Sequence, residues 1–206
     1  MRYVPTMIRT EWRAQLDFAL KEPLSELVDP AIQVTGRLEG DDLDAISEKD
    51  VEALATIGLP SGSRWLHPAI GSRSLVVGAE YGFRLGSTDD GLDPFTGEPN
   101  PEGPQHIMYA LSRSGRVVLT HKNYPSRAHV NRSIALFVDM AWRYDHIQPI
   151  LFTIQYTHNE DGWPTAGSDE ENAVKDLLWQ WAVETDPSVD VEPDLSYWCG
   201  AIRAYM

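Results

Sequence analysis

Apolar residues recur along this chain with two periods, and the switches between them outline the elements. From Thr10 to Lys21, Trp12, Leu16, Ala19 and Leu20 fall at helical spacing. The pair Glu22-Pro23 limits that helix, because the residue before a proline is pushed out of the α region. A second helix is predicted to open at Ser47, whose hydroxyl can cap free amides with Asp50 three residues on. It carries Val51, Leu54 and Ala55 on one face and halts at Gly58-Leu59-Pro60. Period two then takes over. Val76, Val77, Tyr81 and Phe83 suggest strands interrupted by glycine. Residues 106–111 alternate Ile107, Tyr109 and Leu111 with Met108 and Ala110, and a turn at Ser112 to Gly115 leads into the valine-rich stretch 116–121, which predicts a β-hairpin. The helical period returns with Ile134, Phe137, Val138, Ala141 and Trp142, a single buried stripe for which Asn131 stands as the expected cap. It returns again with Val174, Leu177, Leu178, Trp181 and Ala182, in a helix expected to open after Asp169-Glu170-Glu171. The tail, 195–205, reads as a closing strand. Between these elements, 86–103 is rich in glycine, proline and acids and reads as a long loop.

Strands in the middle and helices at both ends predict an α+β fold with a central antiparallel sheet flanked by helices, not a βαβ alternation. A length of 206 residues fits one domain, with residues 1–45 as an N-terminal extension, and no internal period suggests a repeat array. With 42% of residues apolar, the chain can bury a core. A single cysteine, Cys199, excludes an internal disulfide and any multi-cysteine metal site, and its apolar surroundings suggest a buried structural thiol. The first residues hold no apolar run of signal-peptide length, and no stretch approaches a membrane span. A cytoplasmic protein without membrane association is therefore expected.

The search for catalytic chemistry yields little. His-Glu-x-x-His, a phosphate-binding glycine loop and Gly-x-Ser-x-Gly are all absent, and Ser61-Gly62-Ser63 and Gly71-Ser72-Arg73-Ser74 are explained by turn chemistry. The six histidines, His67, His106, His121, His129, His146 and His158, lack ligand spacing, although His106 and His121 can face each other across the hairpin. Asp89, Asp90, Asp93 and Glu98 are hard oxygen ligands, but the spacing of an EF-hand is missing. No metal, no cofactor and no catalytic residue is expected, and the chain does not read as an enzyme. A hydrolase would have to gather distant groups, such as His121 with Asp139.

Charge carries more information. Seventeen Lys and Arg against 31 Asp and Glu give a net charge of −14, which disfavours nucleic acid and favours a basic partner. The bases Arg113, Arg116, Lys122, Arg127 and Arg132 nevertheless fall in a stretch, 106–133, that contains no acid, so the rest of the chain is more acidic than the total. Acids crowd 39–52, 89–102, 160–176 and 184–194. Acids and aromatics of the predicted loops, Asp89, Asp90, Asp93, Phe95, Glu160, Asp161 and Trp163, are the expected partner contacts, since aromatic anchors rimmed by charge supply binding hot spots. Phe95 and Trp163 serve equally well as lids of the core.

Three segments together carry a family resemblance. Ile57-Gly58-Leu59-Pro60 ends an early helix, Met108 to Leu111 and Ser114 to Val117 form the hairpin, and Val130 to Phe137 opens the next helix. In order and spacing this resembles the SUKH superfamily, most closely its fourth family of bacterial immunity proteins. The resemblance implies a SUKH-like single domain that binds and neutralises a cognate polymorphic toxin, a nuclease or deaminase, by noncovalent occlusion. The alternative it allows is a protein-interaction adaptor without a toxin partner. The matched residues are scaffold: Gly58 and Pro60 stop a helix, Gly115 turns the hairpin, Asn131 caps and Phe137 fills the core.

Overall fold

The computed structural model describes residues 8–38, 46–61, 65–70, 73–76, 80–87, 107–111, 115–121, 124–155, 169–191 and 196–203. Helix α1 spans Thr10–Lys21 and is followed at once by the single turn α2, Leu24–Leu27. A two-residue strand β1, Gln33–Val34, pairs antiparallel with β2, Leu59–Pro60. Between them lies α3, Glu48–Glu52, which widens into one π-helical turn over Ala53–Ile57. As the sequence predicts, Ser47 caps this helix, its hydroxyl accepting the Asp50 amide at 3.2 Å, and Gly58 ends it. Gly58 sits at φ +66°, and a Cβ there would lie 2.3 Å from the Val34 carbonyl oxygen, so only glycine fits. The widened turn is held by the neighbouring strand: Gln33 Nε2 donates to the Thr56 and Ile57 carbonyls at 3.0 and 2.7 Å.

The main sheet is antiparallel throughout, in the order β3 (His67–Pro68), β5 (Glu80–Ser87), β6 (Ile107–Leu111), β7 (Val117–His121) and β8 (Tyr124–Asn131), with β4 (Arg73–Val76) pairing along β5 beside β3. The predicted hairpin is β6–β7, in register from Ile107↔His121 to Leu111↔Val117, with Gly115 at φ +77° in its turn. His121 thus lies opposite Ile107, and His106 falls outside the described residues. The predicted glycine-interrupted strands are β4 and β5. Gly86 and Ser87, expected in the long loop, belong to β5.

Helix α4, Ile134–Gln155, is the hub: it packs against α1, α2, α3, α5, β2 and β8. The expected single stripe is too modest a description. Ile134, Phe137, Val138, Met140, Ala141 and Trp142 are all fully buried, because elements close over the first half of the helix from several sides. Arg143 ties α1 to it, donating from Nη1 to the Ala19 and Glu22 carbonyls at 2.9 and 3.1 Å, a cation placed at a helix C-terminus. His146 Nε2 does the same for α2, donating to the Leu27 carbonyl at 2.9 Å.

Helix α5, Asp169–Thr185, begins at the acidic triplet instead of after it. Glu171 turns inward and pairs with Lys175 at 2.6 Å, both nearly buried. A 3₁₀ turn, Pro187–Asp190, leads toward the tail. The expected closing strand is instead helix α6, Tyr197–Arg203, and among the described residues only Ser196 bridges to β8, at His129. Trp198 and Ile202, one helical turn apart, lie on one face of the helix and both enter the core. Trp198 packs edge-on against Tyr144 with ring centres 5.4 Å apart, and the Tyr144 hydroxyl donates to the Ala201 carbonyl. The result is an α+β fold whose buried core draws on residues from Ile8 to Ile202. Among the described residues no helix is long and apolar enough to cross a membrane.

Candidate functional site

Two aspartates organise the places where side-chain chemistry concentrates. The first is Asp50, at the junction of α3 and α4. Its Oδ2 accepts the Ser47 hydroxyl at 2.7 Å, and its Oδ1 accepts the Ala135 amide in the first turn of α4, also at 2.7 Å. One carboxylate therefore closes its own helix start and caps a second one. Ser133 completes the α4 start, its hydroxyl accepting the Leu136 amide at 3.3 Å. That is the role the sequence assigned to Asn131, which is instead the last residue of β8.

Beside this junction opens a cleft of about 580 Å³. Its floor is apolar, formed by Leu24 of α2, Ala53 and Ile57 of the π-helical turn, and Ala135 and Leu136 of α4. Its rim is charged: Lys49 and Glu52 on one side, Arg132 and Asp139 on the other. Asp139 is engaged by Arg143 Nε at 3.1 Å, and Arg132 leans toward the second aspartate, Asp186, at 3.7 Å. Volume and mixed lining are those of a binding cleft.

Asp186 is fully buried and accepts four hydrogen bonds: from Asn131 Nδ2 at 3.1 Å, the Arg132 amide at 2.9 Å, the Ser188 amide at 3.1 Å and the Ser188 hydroxyl at 2.5 Å. Burial alone would raise its pKa. The hydrogen bonds from Ser188, Arg132 and Asn131 outweigh burial and hold the carboxyl below the usual range. Asn131 spends its other atoms equally inward: Nδ2 also meets Met140 Sδ, and Oδ1 accepts the buried Trp198 indole at 3.1 Å. His129 Nε2 lies 2.8 Å from the Ser188 oxygen. With the Ser188 proton given to Asp186, His129 is the donor in that contact. The order carboxylate, hydroxyl, imidazole is not that of an activated serine, which needs the imidazole in the middle. Burial lowers the pKa of His129; Asp186 opposes the shift and Arg116 reinforces it.

The loop residues expected to contact a partner, Asp89, Asp90, Asp93, Phe95, Glu160, Asp161 and Trp163, lie outside the described residues, in the segments joining β5 to β6 and α4 to α5. Cys199, expected to be buried, is half-buried on α6. Among the described residues no group of three or more His, Cys, Asp or Glu is placed to hold a metal ion. The sequence pointed to Asp50 through its spacing from Ser47, but carried no signal for the pairing of Asp50 with α4, nor for the cleft between them. Comparison with protein-family models, with curated proteins and with solved structures finds no significant match to this chain.

Proposed function

We propose that this protein is a SUKH-type immunity protein: a noncatalytic, cytoplasmic inhibitor that binds a basic toxin of the nuclease or deaminase class and occludes it. The observation that carries the proposal is charge. A net −14, borne outside a stretch of five bases, gives a polar field suited to a protein that itself grips polyanions, and such fields speed association with the right partner. The α+β architecture supports the family reading, with a helix stopped at Gly58, a hairpin turned at Gly115 and Phe137 in the core, although Ser133 and not Asn131 caps α4. The proposed contacts are Asp89, Asp90, Asp93, Phe95, Glu160, Asp161 and Trp163, over an interface of about 800 Å² per partner.

The test is affinity capture from the lysate of the native host through a salt series, with the bound proteins identified by mass. Recovery of a single basic toxin-like protein, weakened by replacing Asp89, Asp90 and Asp93 with Asn, is the expected result. Several unrelated partners eluting at low salt would overturn the immunity reading in favour of an adaptor.

A further inference from the structure

Of the polar groups that line the cleft between α2, α3 and α4, most acceptors are already committed within the fold. Asp50 spends one carboxylate oxygen on the Ser47 hydroxyl and the other on the Ala135 amide. Asp139 has both oxygens on Arg143 Nε, at 3.1 Å each. The Ser47 and Thr56 hydroxyls give their protons to Asp50 and to the Glu52 carbonyl. The donors are in the opposite condition. Lys49 is exposed and makes no hydrogen bond or ion pair among the described residues. The exposed Arg132 side chain approaches Asp186 only at 3.7 Å, beyond hydrogen-bond reach, and that carboxylate already holds four hydrogen bonds from other groups. Ser133 accepts the Leu136 amide at 3.3 Å and keeps its own proton to give. Against these three donors stands Glu52, the one carboxylate of the lining that remains open among the described residues.

The rest of the lining is aliphatic, with Leu24, Ala53, Ile57, Ala135 and Leu136 buried or half-buried. In a molecule of net charge −14, which repels anions at a distance, uncommitted donors around one small apolar cleft are a local exception. From this geometry we infer that the cleft binds a small organic oxyanion, a carboxylate or phosphate monoester carried on a compact aliphatic body. The Arg132 fork takes the oxyanion through two N–H groups, Lys49 adds charge from α3, and the Ser133 hydroxyl supplies a further donor. The aliphatic body covers Leu24, Ile57 and Leu136. A volume of about 580 Å³ is that of a small-molecule site. Its walls are preformed: Asp50 fixes α3 to α4, and Gln33 holds the π-helical turn that supplies Ala53, Thr56 and Ile57, so entry costs little ordering. Turns of this kind recur at functional sites. The inference goes beyond the reading of a protein partner and does not depend on it.

The full chain is titrated by calorimetry with octanoate and with octyl phosphate, against octylammonium, octanol and inorganic phosphate as controls. At least one of the two amphiphilic anions should bind once per molecule with a Kd of about 1 mM or tighter, and each control at least about tenfold more weakly. Binding of octanoate alone would assign a carboxylate head, and of octyl phosphate alone a phosphate ester; either supports the site. Arg132→Gln, which removes the fork, and Thr56→Trp, which fills the cleft from its exposed wall, should each weaken binding about tenfold. Lys49→Gln should weaken it about threefold, and Glu52→Gln should strengthen it about twofold by removing the open carboxylate, with thermal midpoints confirming that every variant is folded. No binding by either anion, equal binding by octylammonium, or inorganic phosphate binding as tightly as octyl phosphate overturns the inference. Undiminished binding by folded Arg132→Gln and folded Thr56→Trp overturns it too, by placing the ligand elsewhere.

Discussion

Asp50 and Asp186 do the same elementary job with opposite reach. Each is a carboxylate that accepts both from its own segment and from the region where β8 passes into α4. Asp50 finds half of its partners within three residues, at Ser47, and only one across the chain, the Ala135 amide. Asp186 sits fully buried and collects two of its four bonds from Asn131 and Arg132, far earlier in sequence. One junction borders an open cleft and the other is sealed. A carboxylate at a wet margin can be replaced by water when lost, whereas one in a sealed site leaves its donors stranded, so the two should differ in energetic weight more than in number of bonds.

The largest effect is expected for Asp186→Ala. It strands the Asn131 carboxamide and the Arg132 and Ser188 amides, and should cost about 3–5 kcal/mol in urea unfolding. Asp186→Asn, which keeps an acceptor of the same shape, should lose clearly less. A loss under about 1 kcal/mol for the alanine variant would show that water enters this site and would erase the contrast. Asp50→Ala comes next, at about 1–2 kcal/mol, the weight of a lost cap. Combining it with Ser47→Ala should give less than the sum of the two single losses, because the residues share one interaction. The smallest effect concerns pH. His129 holds its proton less tightly folded than unfolded, so its contribution is fully present above pH 6.5 and is lost as pH falls from there through the lowered folded value. Urea midpoints measured at stepped pH should therefore decline below 6.5, and His129→Gln should flatten that decline. An unchanged slope in the variant would assign it to other groups.

What the sequence made legible was what is local. The Ser47–Asp50 spacing, the stop at Gly58 and the β6–β7 hairpin all rest on groups a few residues apart, and each stands in the structure. Asn131 misled because an asparagine just ahead of an apolar stripe fits a cap as well as it fits the end of a strand. The choice is made by Asp186 and Trp198, which periodicity cannot see. Strand β8 passed unnoticed because Pro125, Arg127 and His129 break apolar alternation along it. The tail looked strand-like for its aromatics, but Trp198 and Ile202 carry helical spacing, and the packing of Trp198 on Tyr144 decided between the two. The cleft was out of reach for the same reason as the Asp186 site: Leu24, Ile57 and Leu136 meet only after three elements dock.

The enclosure of α4 has a consequence for exchange with solvent. Phe137, Val138, Met140, Ala141 and Trp142 have fully buried side chains, so their amides should trade hydrogen for deuterium only when the whole domain opens, and their rates should report global stability. A ligand seated at the first turn of that helix would then slow exchange throughout the core, not only beneath its own footprint. At a hundredfold excess over its dissociation constant the gain is about 2.7 kcal/mol, or roughly a hundredfold in rate. Occupancy of one small groove could thus be read from amides across the molecule, before any partner is identified.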